Sequence, residues 1–129
     1  MDSDLMKSGS THQIEVRVEY NETDGQKRVH HANYLNYFER ARVEMLRAGG
    51  VSYKQFEASG RMLVVTEMNI KYFAAAEFDD VLTVTTTLVD AKKVRLYHTY
   101  RIERGDQLVV QATSTIACVD ENGRPCRFA

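Results

Sequence analysis

Two cysteines in 129 residues, Cys118 and Cys126, are too few for a disulfide framework, and their spacing is not that of a zinc site. They are read as reduced thiols. Neither sign of charge is in excess: seventeen Lys and Arg against eighteen Asp and Glu leave a net −1, which excludes a global electrostatic hold on nucleic acid or an anionic membrane. Any phosphate must be met by a few local side chains. No apolar run approaches the ~18 residues of a membrane span. The opening MDSDLMKSGSTHQ also lacks the apolar block of a signal peptide, so a cytoplasmic protein without a membrane partner is expected. Internal repeats, low-complexity tracts and interdomain linkers are absent as well, and the length suits one domain.

What is present is an ordinary globular composition, 43% hydrophobic and 27% charged, carrying two clear periodicities. Residues 1–12 are small and polar and are expected to form a flexible tail ahead of a single domain over 13–129. Ile14, Val16, Val18 and Tyr20 then alternate with charged residues, as in a strand with one buried face. The polar run NETDGQKR, residues 21–28, breaks the pattern and marks a loop. From Ala32 to about Ala48 the period changes: Tyr34, Leu35, Phe38, Ala41, Met45 and Leu46 recur at helical steps, with Tyr37 and Val43 widening the apolar arc. Asn36, Arg40, Glu44 and Arg47 form the polar stripe. Gly49-Gly50 ends this helix, and Ser52 is placed to cap a short second one over Tyr53–Ala58.

The second half alternates with period two. Met62 to Tyr72 reads as one long strand with the even-numbered residues inward; Leu82 to Leu88, Val94 to Ile102 and Leu108 to Cys118 read as three more. The turns Asp90-Ala91-Lys92-Lys93 and Gly105-Asp106 join the last three into an antiparallel meander, and Ala74 to Asp80 is a longer connection. Strands spanning roughly 30 to 40 Å can wrap a helix of roughly 25 Å. The predicted class is α+β: a curved antiparallel sheet of about five strands around one long central helix.

The sharpest local feature lies between the first strand and that helix, where Tyr20-Asn21-Glu22-Thr23-Asp24 is followed by Val29-His30-His31-Ala32-Asn33-Tyr34. The first N–H groups of a helix have no intrahelical partner, so the turn near His31 can donate to a carbonyl oxygen that gains charge. A nearby carboxylate can attack that carbonyl carbon or deprotonate a water. Adjacent His30 and His31 point in different directions and have no third ligand at a useful spacing, so no metal and no cofactor is predicted. His98, on an apolar strand parity, reads as a hydrogen-bonded core or interface histidine. Glu22 is expected at the loop rim.

The runs Val16-Arg17-Val18-Glu19-Tyr20-Asn21-Glu22-Thr23-Asp24 and Val29 through Arg47, with Asp79-Asp80-Val81-Leu82 further on, resemble the hotdog-fold acyl-CoA thioesterases of the 4-hydroxybenzoyl-CoA thioesterase type. The resemblance covers about Ile14 to Val119. It implies a hotdog fold and hydrolysis of an acyl-CoA thioester, with Asp24 as nucleophile or general base and the His31 backbone N–H polarising the carbonyl. The His31 imidazole would orient water or substrate, Asn33 and Tyr34 would line the entrance, and Lys92 and Lys93 would meet coenzyme A phosphates. Glu67, on the polar parity of the long strand, is the reserve carboxylate. Two departures stand out: Lys27 where the family usually has glycine, implying a displaced loop or compensation by Gly25, and His30 where an aromatic is usual. A noncatalytic acyl-thioester binding protein, a hotdog hydratase or dehydratase, and an acyl carrier protein in place of coenzyme A are the alternatives. A large closed cleft within one chain of this size is not expected, and the resemblance implies a site between protomers of a homodimer or homotetramer.

Overall fold

The computed structural model describes residues 7–25 and 27–128. Strand β1 (Thr11–Arg17) leads through a single 3-10 turn (Tyr20–Glu22) into helix α1 (Asn33–Ala48) and the short α2 (Tyr53–Ala58). Strands β2 (Arg61–Tyr72), β3 (Val81–Ala91), β4 (Arg95–Arg104) and β5 (Gln107–Asp120) follow. They form one five-stranded sheet in the order β1-β3-β4-β5-β2, antiparallel throughout. The α+β arrangement expected from the periodicities, and the hotdog fold that the resemblance implies, are what forms.

Helix α1 lies against the sheet because Tyr34, Tyr37, Phe38, Ala41 and Met45 recur at three and four residue steps, and all are buried. Each large side chain removed from water in this way contributes about 1.5–3 kcal/mol. Leu35 falls outside that arc and is exposed. At the start of α2 the Ser52 hydroxyl accepts the Gln55 N–H at 3.3 Å, the cap anticipated from its position.

Three sequence expectations need correction. Strand β1 opens at Thr11 rather than Ile14, because Thr11, His12 and Gln13 find partners in Thr87, Thr86 and Thr85 of β3, and Gly9 and Ser10 already bond to the Leu88 backbone. Of the expected tail, residues 1–6 lie outside the described residues. Tyr20 does not continue the buried face of β1: the chain turns after Arg17, and the Tyr20 ring is exposed, edge-on to Phe78 at 5.5 Å. Along β2 the inward parity is not constant. A bulge between Val65 and Glu67 switches it, so Leu63 and Val65 lie opposite Cys118 and Ile116, whereas Met68, Ile70 and Tyr72 lie opposite Ser114, Ala112 and Val110. Met62 is consequently exposed.

The core is divided. One cluster, including Val16, Tyr37, Phe38, Val84, Ile102 and Val110, packs under the first half of α1, and the other, including Met45, Phe56, Leu88, Leu96, Ile116 and Phe128, under its end. Between them run buried Thr86, His98 and Ser114 on the three central strands. The Tyr100 and Ser114 hydroxyls are 2.6 Å apart, and Arg42 of α1 reaches in to donate to Tyr100 Oη at 3.0 Å. Burial, reinforced by the Arg42 charge, lowers the His98 pKa to about 4.

This makes the fold acid-sensitive. A folded-state pKa depressed from 6.5 to about 4 favours neutral imidazole, so its contribution is complete above pH 6.5 and is lost as the pH falls toward 4. By pH 4 the wild type should lose about 3 kcal/mol more than His98→Asn. Denaturant titrations of both proteins across this window measure the difference, and parallel pH curves would refute it.

Candidate active site

The loop after β1 is tied down at both ends. Val18 exchanges backbone bonds with the segment before β3, its N–H donating to Asp80 O at 2.9 Å and its carbonyl accepting the Asp79 N–H at 3.0 Å. Arg104 clamps the same segment, donating to Ala75 O at 2.9 Å and to Asp80 Oδ2 at 2.7 Å. The 3-10 turn then folds Glu22 inward. Its Oε1 accepts the Glu19 N–H and the Tyr37 hydroxyl, both at 2.8 Å, and the residue is 9% exposed. Its backbone carbonyl accepts the His30 N–H at 3.0 Å and Asn33 Nδ2 at 2.8 Å. Glu22 is thus a buried tie between loop and helix, not a residue of the rim. The inward face of α1 presents a hydroxyl at Tyr37 that requires an acceptor, and Glu22 supplies it. Burial, with the Glu22 carboxylate as acceptor, pushes the Tyr37 phenol well above its ordinary range, so it remains a donor.

Thr23 and Val29 bridge as a short antiparallel pair, enclosing the segment that carries Asp24. The Asp24 N–H donates to Arg28 O at 2.8 Å, and Asp24 Oδ1 accepts the Arg28 N–H at 3.3 Å. Lys27 has φ +67°, the left-handed conformation that glycine adopts without cost and a lysine adopts at about 1–2 kcal/mol. Gly25 has no positive φ and supplies no compensation. Lysine therefore takes up the backbone shape that glycine would, and the tight loop closes despite the departure.

At the start of α1 the amides divide unequally. His30 Nδ1 accepts the Ala32 N–H at 3.2 Å, His30 O accepts the Asn33 N–H at 2.9 Å and His31 O accepts the Tyr34 N–H at 3.3 Å. The His31 N–H has no acceptor among the described residues. The His31 ring stacks on Tyr72 from the end of β2, centroids 4.5 Å apart and planes 24° from parallel. Tyr72 leans on Tyr34 at 5.6 Å. Burial raises the Tyr34 phenol, whose hydroxyl meets the Ala76 backbone.

These groups face one open cleft of about 640 Å³, lined among others by Asp24, Arg28, His31, Tyr34, Tyr72 and Phe73. An acid, an unengaged helix-start amide and an aromatic floor are thereby brought together. Such a set can hold a carbonyl by its oxygen and present a carboxylate to its carbon or to a water. Among the described residues no three of His, Cys, Asp or Glu are grouped to hold a metal ion.

Of the residues singled out from the sequence, Asp24, His31 and Tyr34 meet in this cleft. Asn33 stands behind them, its amide holding the Glu22 carbonyl. Glu67 follows the β2 bulge, opposite Thr115, and borders a separate hollow with Val89, Tyr97, Thr99 and Thr113 on the sheet face away from α1. Lys92 and Lys93 occupy the β3–β4 turn, at the end of the sheet opposite the cleft, and the 11 residues of β3 put them roughly 35 Å away. Within one protomer these three do not reach Asp24. Sequence reasoning missed Arg28, Tyr72 and Phe73. Arg28 was hidden in a polar loop run, whereas Tyr72 was visible as the last inward residue of the long strand.

The model of the thioesterase-like superfamily matches residues 18–129. Over 106 residues the chain is 37% identical to the acyl-CoA thioester hydrolase YbgC of Escherichia coli O6:H1, covering 81% of this chain and 79% of that protein. It is 38% identical over 106 residues to the acyl-CoA thioesterase YbgC of Haemophilus influenzae, covering 81% and 78%. The fold superposes on the crystal structure of a probable thioesterase from Bartonella henselae with a TM-score of 0.87 at 33% identity, covering 92% of this chain and 98% of that one. With a loop and helix start built as described and these likenesses spanning most of its length, the chain belongs to the thioesterase-like superfamily of hotdog proteins.

Proposed function

We propose that the chain is an acyl-CoA thioesterase, converting a thioester and water to a carboxylate and free coenzyme A. The observation that carries this reading is that Asp24 and His31 line one cleft, and that the His31 N–H has no acceptor among the described residues. The thioester oxygen accepts the His31 N–H, so charge developing there meets a donor already in place and supported by the positive end of α1. From the opposite side Asp24 either attacks the carbonyl carbon, giving an anhydride that water opens, or removes a proton from the attacking water. In both cases the carbon–sulfur bond breaks and the thiolate leaves to be protonated as coenzyme A.

The His31 ring, held on Tyr72, orients water or the thioester, and Tyr34 with Phe73 contributes apolar wall. Asn33 acts one step back, through the Glu22 carbonyl. Lys92 and Lys93 would meet the coenzyme A phosphates only from a second protomer, as would Glu67 if it touches substrate. Such an assembly is supported by the edge position of β2 and by exposed Met62 and Val65 on its two faces, apolar side chains that a second copy would cover. A homodimer or homotetramer is therefore part of the proposal. Support for hydrolysis over binding alone comes from Lys27, whose left-handed backbone keeps a tight turn beside Asp24.

The test is release of free thiol from a panel of acyl-CoA esters of differing length and aromaticity, with one acyl group also presented on acyl carrier protein. Turnover of coenzyme A esters in preference to the carrier-protein form is expected. Absence of thiol release from every ester would overturn the reading.

A further inference from the structure

We propose that Cys118 and Cys126 form an oxidative modification site, in which a hydroperoxide converts the two thiols into an intrachain disulfide fastening the C-terminal segment to β5. The sulfurs are 3.3 Å apart. Their backbones are already fixed against each other: the Cys126 N–H donates to Cys118 O at 2.9 Å, and Val119 bridges Pro125. The intervening turn is closed by Asp120, whose Oδ1 accepts the N–H groups of Asn122 at 2.9 Å and Arg124 at 3.0 Å. The Cα and Cβ spacings that paired antiparallel residues provide are compatible with closing the remaining gap to the ~2 Å of a disulfide.

The two thiols differ in access. Cys118 is fully buried in the cluster of Met45, Phe56, Leu96 and Ile116, whereas Cys126 is half-buried at its edge. Burial, with the Cys126 contact, pushes the Cys118 thiol up to about 12, so the reaction begins at Cys126. The Cys126 sulfur attacks one oxygen of hydrogen peroxide, the O–O bond breaks, and the leaving hydroxide takes the thiol proton, so that a sulfenic acid and water result. The Cys118 sulfur then attacks Cys126 Sγ, the S–O bond breaks, and the Cys118 proton leaves with the hydroxide as a second water. Two electrons pass from the sulfurs to the peroxide, and no other reductant is consumed.

What the bond would hold is core packing. Just beyond Cys126, Phe128 is buried in the same cluster, and Arg61 donates to the Phe128 and Arg127 carbonyls while its guanidinium covers the Phe56 ring at 4.6 Å. The segment closes the end of the core beneath α2, and a covalent tie would prevent its release.

The experiment treats the purified full chain with hydrogen peroxide and reads intact mass, thiol titration and thermal midpoint. Expected are a mass lower by two hydrogens, loss of both thiols, restoration by dithiothreitol, and a midpoint raised by roughly 5 to 10 °C. Cys118→Ala should accumulate a sulfenic acid that dimedone traps, and Cys126→Ser should stay unmodified. Two persistent thiols in the wild type, accumulation of sulfinic acid on Cys126, or disulfide-linked dimers would each overturn the proposal. The outcome is independent of any thioesterase assay.

Discussion

Asp24→Asn should lower kcat on the best acyl-CoA substrate by about 10³-fold or more while KM changes by less than about threefold. The substitution is isosteric, and the Asn oxygen can still accept the Arg28 N–H, so the loop keeps the path closed by the Thr23–Val29 bridge. What is lost is a carboxylate that can attack carbon or take a proton from water, a contribution made chiefly in the transition state. On the proposed reading the His31 N–H and the aromatic walls would still bind the thioester, and KM should be spared. Steady-state kinetics with a thiol reagent, accompanied by a thermal melt to show the fold unchanged, measure the effect. Undiminished turnover would remove Asp24 from the reaction, and Glu67 from a second protomer would be the next carboxylate to test.

Glu22→Ala should act on the same chemistry from behind. Truncation removes the acceptor of both the Tyr37 hydroxyl and the Glu19 N–H, leaving a buried phenol unpaired, and costs about 2–3 kcal/mol of stability. It also frees the turn whose carbonyl holds His30 and Asn33, so kcat should fall by roughly 10- to 100-fold with Asp24 intact. Two companions separate the effects. Adding Tyr37→Phe removes the orphaned hydroxyl and should recover part of the stability without recovering kcat. Glu22→Gln keeps an acceptor in place and should retain most of both. Denaturant unfolding paired with kinetics on the four proteins decides; equal kcat in wild type and Glu22→Ala would show that the tie serves the fold alone.

Much of the architecture was legible because burial imposes period. The α1 residues at helical steps and the alternation of β3, β4 and β5 each follow from one face packing on a core, and Ser52 followed by a short apolar helix is a local signal that needs no tertiary context. The failures occurred where the period is interrupted by something local pattern does not encode. A bulge after Val65 reverses the inward parity of β2, so Met62 faces out and Tyr72 faces the cleft. Tyr20 looked like one more inward residue, yet the strand had already ended at Arg17. Thr11 to Gln13 joined the sheet through backbone pairing with β3, for which hydrophobic alternation gives no sign.

The site was legible in part for a related reason. Asp24, His31 and Tyr34 are close in sequence around one turn, so the chain itself brings them together. Glu22 was misplaced because its burial depends on Tyr37, fifteen residues on, offering a hydroxyl at the right height. Tyr72 and Phe73 enter from the far end of β2, a neighbourhood set by sheet closure. Lys27 is the clearest case of a local rule outweighed: its left-handed backbone is disfavoured for lysine alone, and the bonds from Asp24 to Arg28 and from Val29 to Ala76 hold it there.

The hydrogen-bonded set of Arg42, Tyr100 and Ser114 between the two apolar clusters also fixes which residues face each other. Alternating apolar strands tolerate a slip of two residues, since every inward position remains greasy and every outward one polar. Here a two-residue slide of β4 against β5 would move His98 off Ser114 and set it against Ala112 or Ile116, and Tyr100 would lose the reach that joins it to Ser114 and Arg42. The bonded side chains of Arg42, Tyr100 and Ser114 thus serve as an index mark on an otherwise apolar inner surface. By selecting one alignment of the central strands, they also settle where the far end of β5 carries β2, and with it the aromatic floor on which His31 rests.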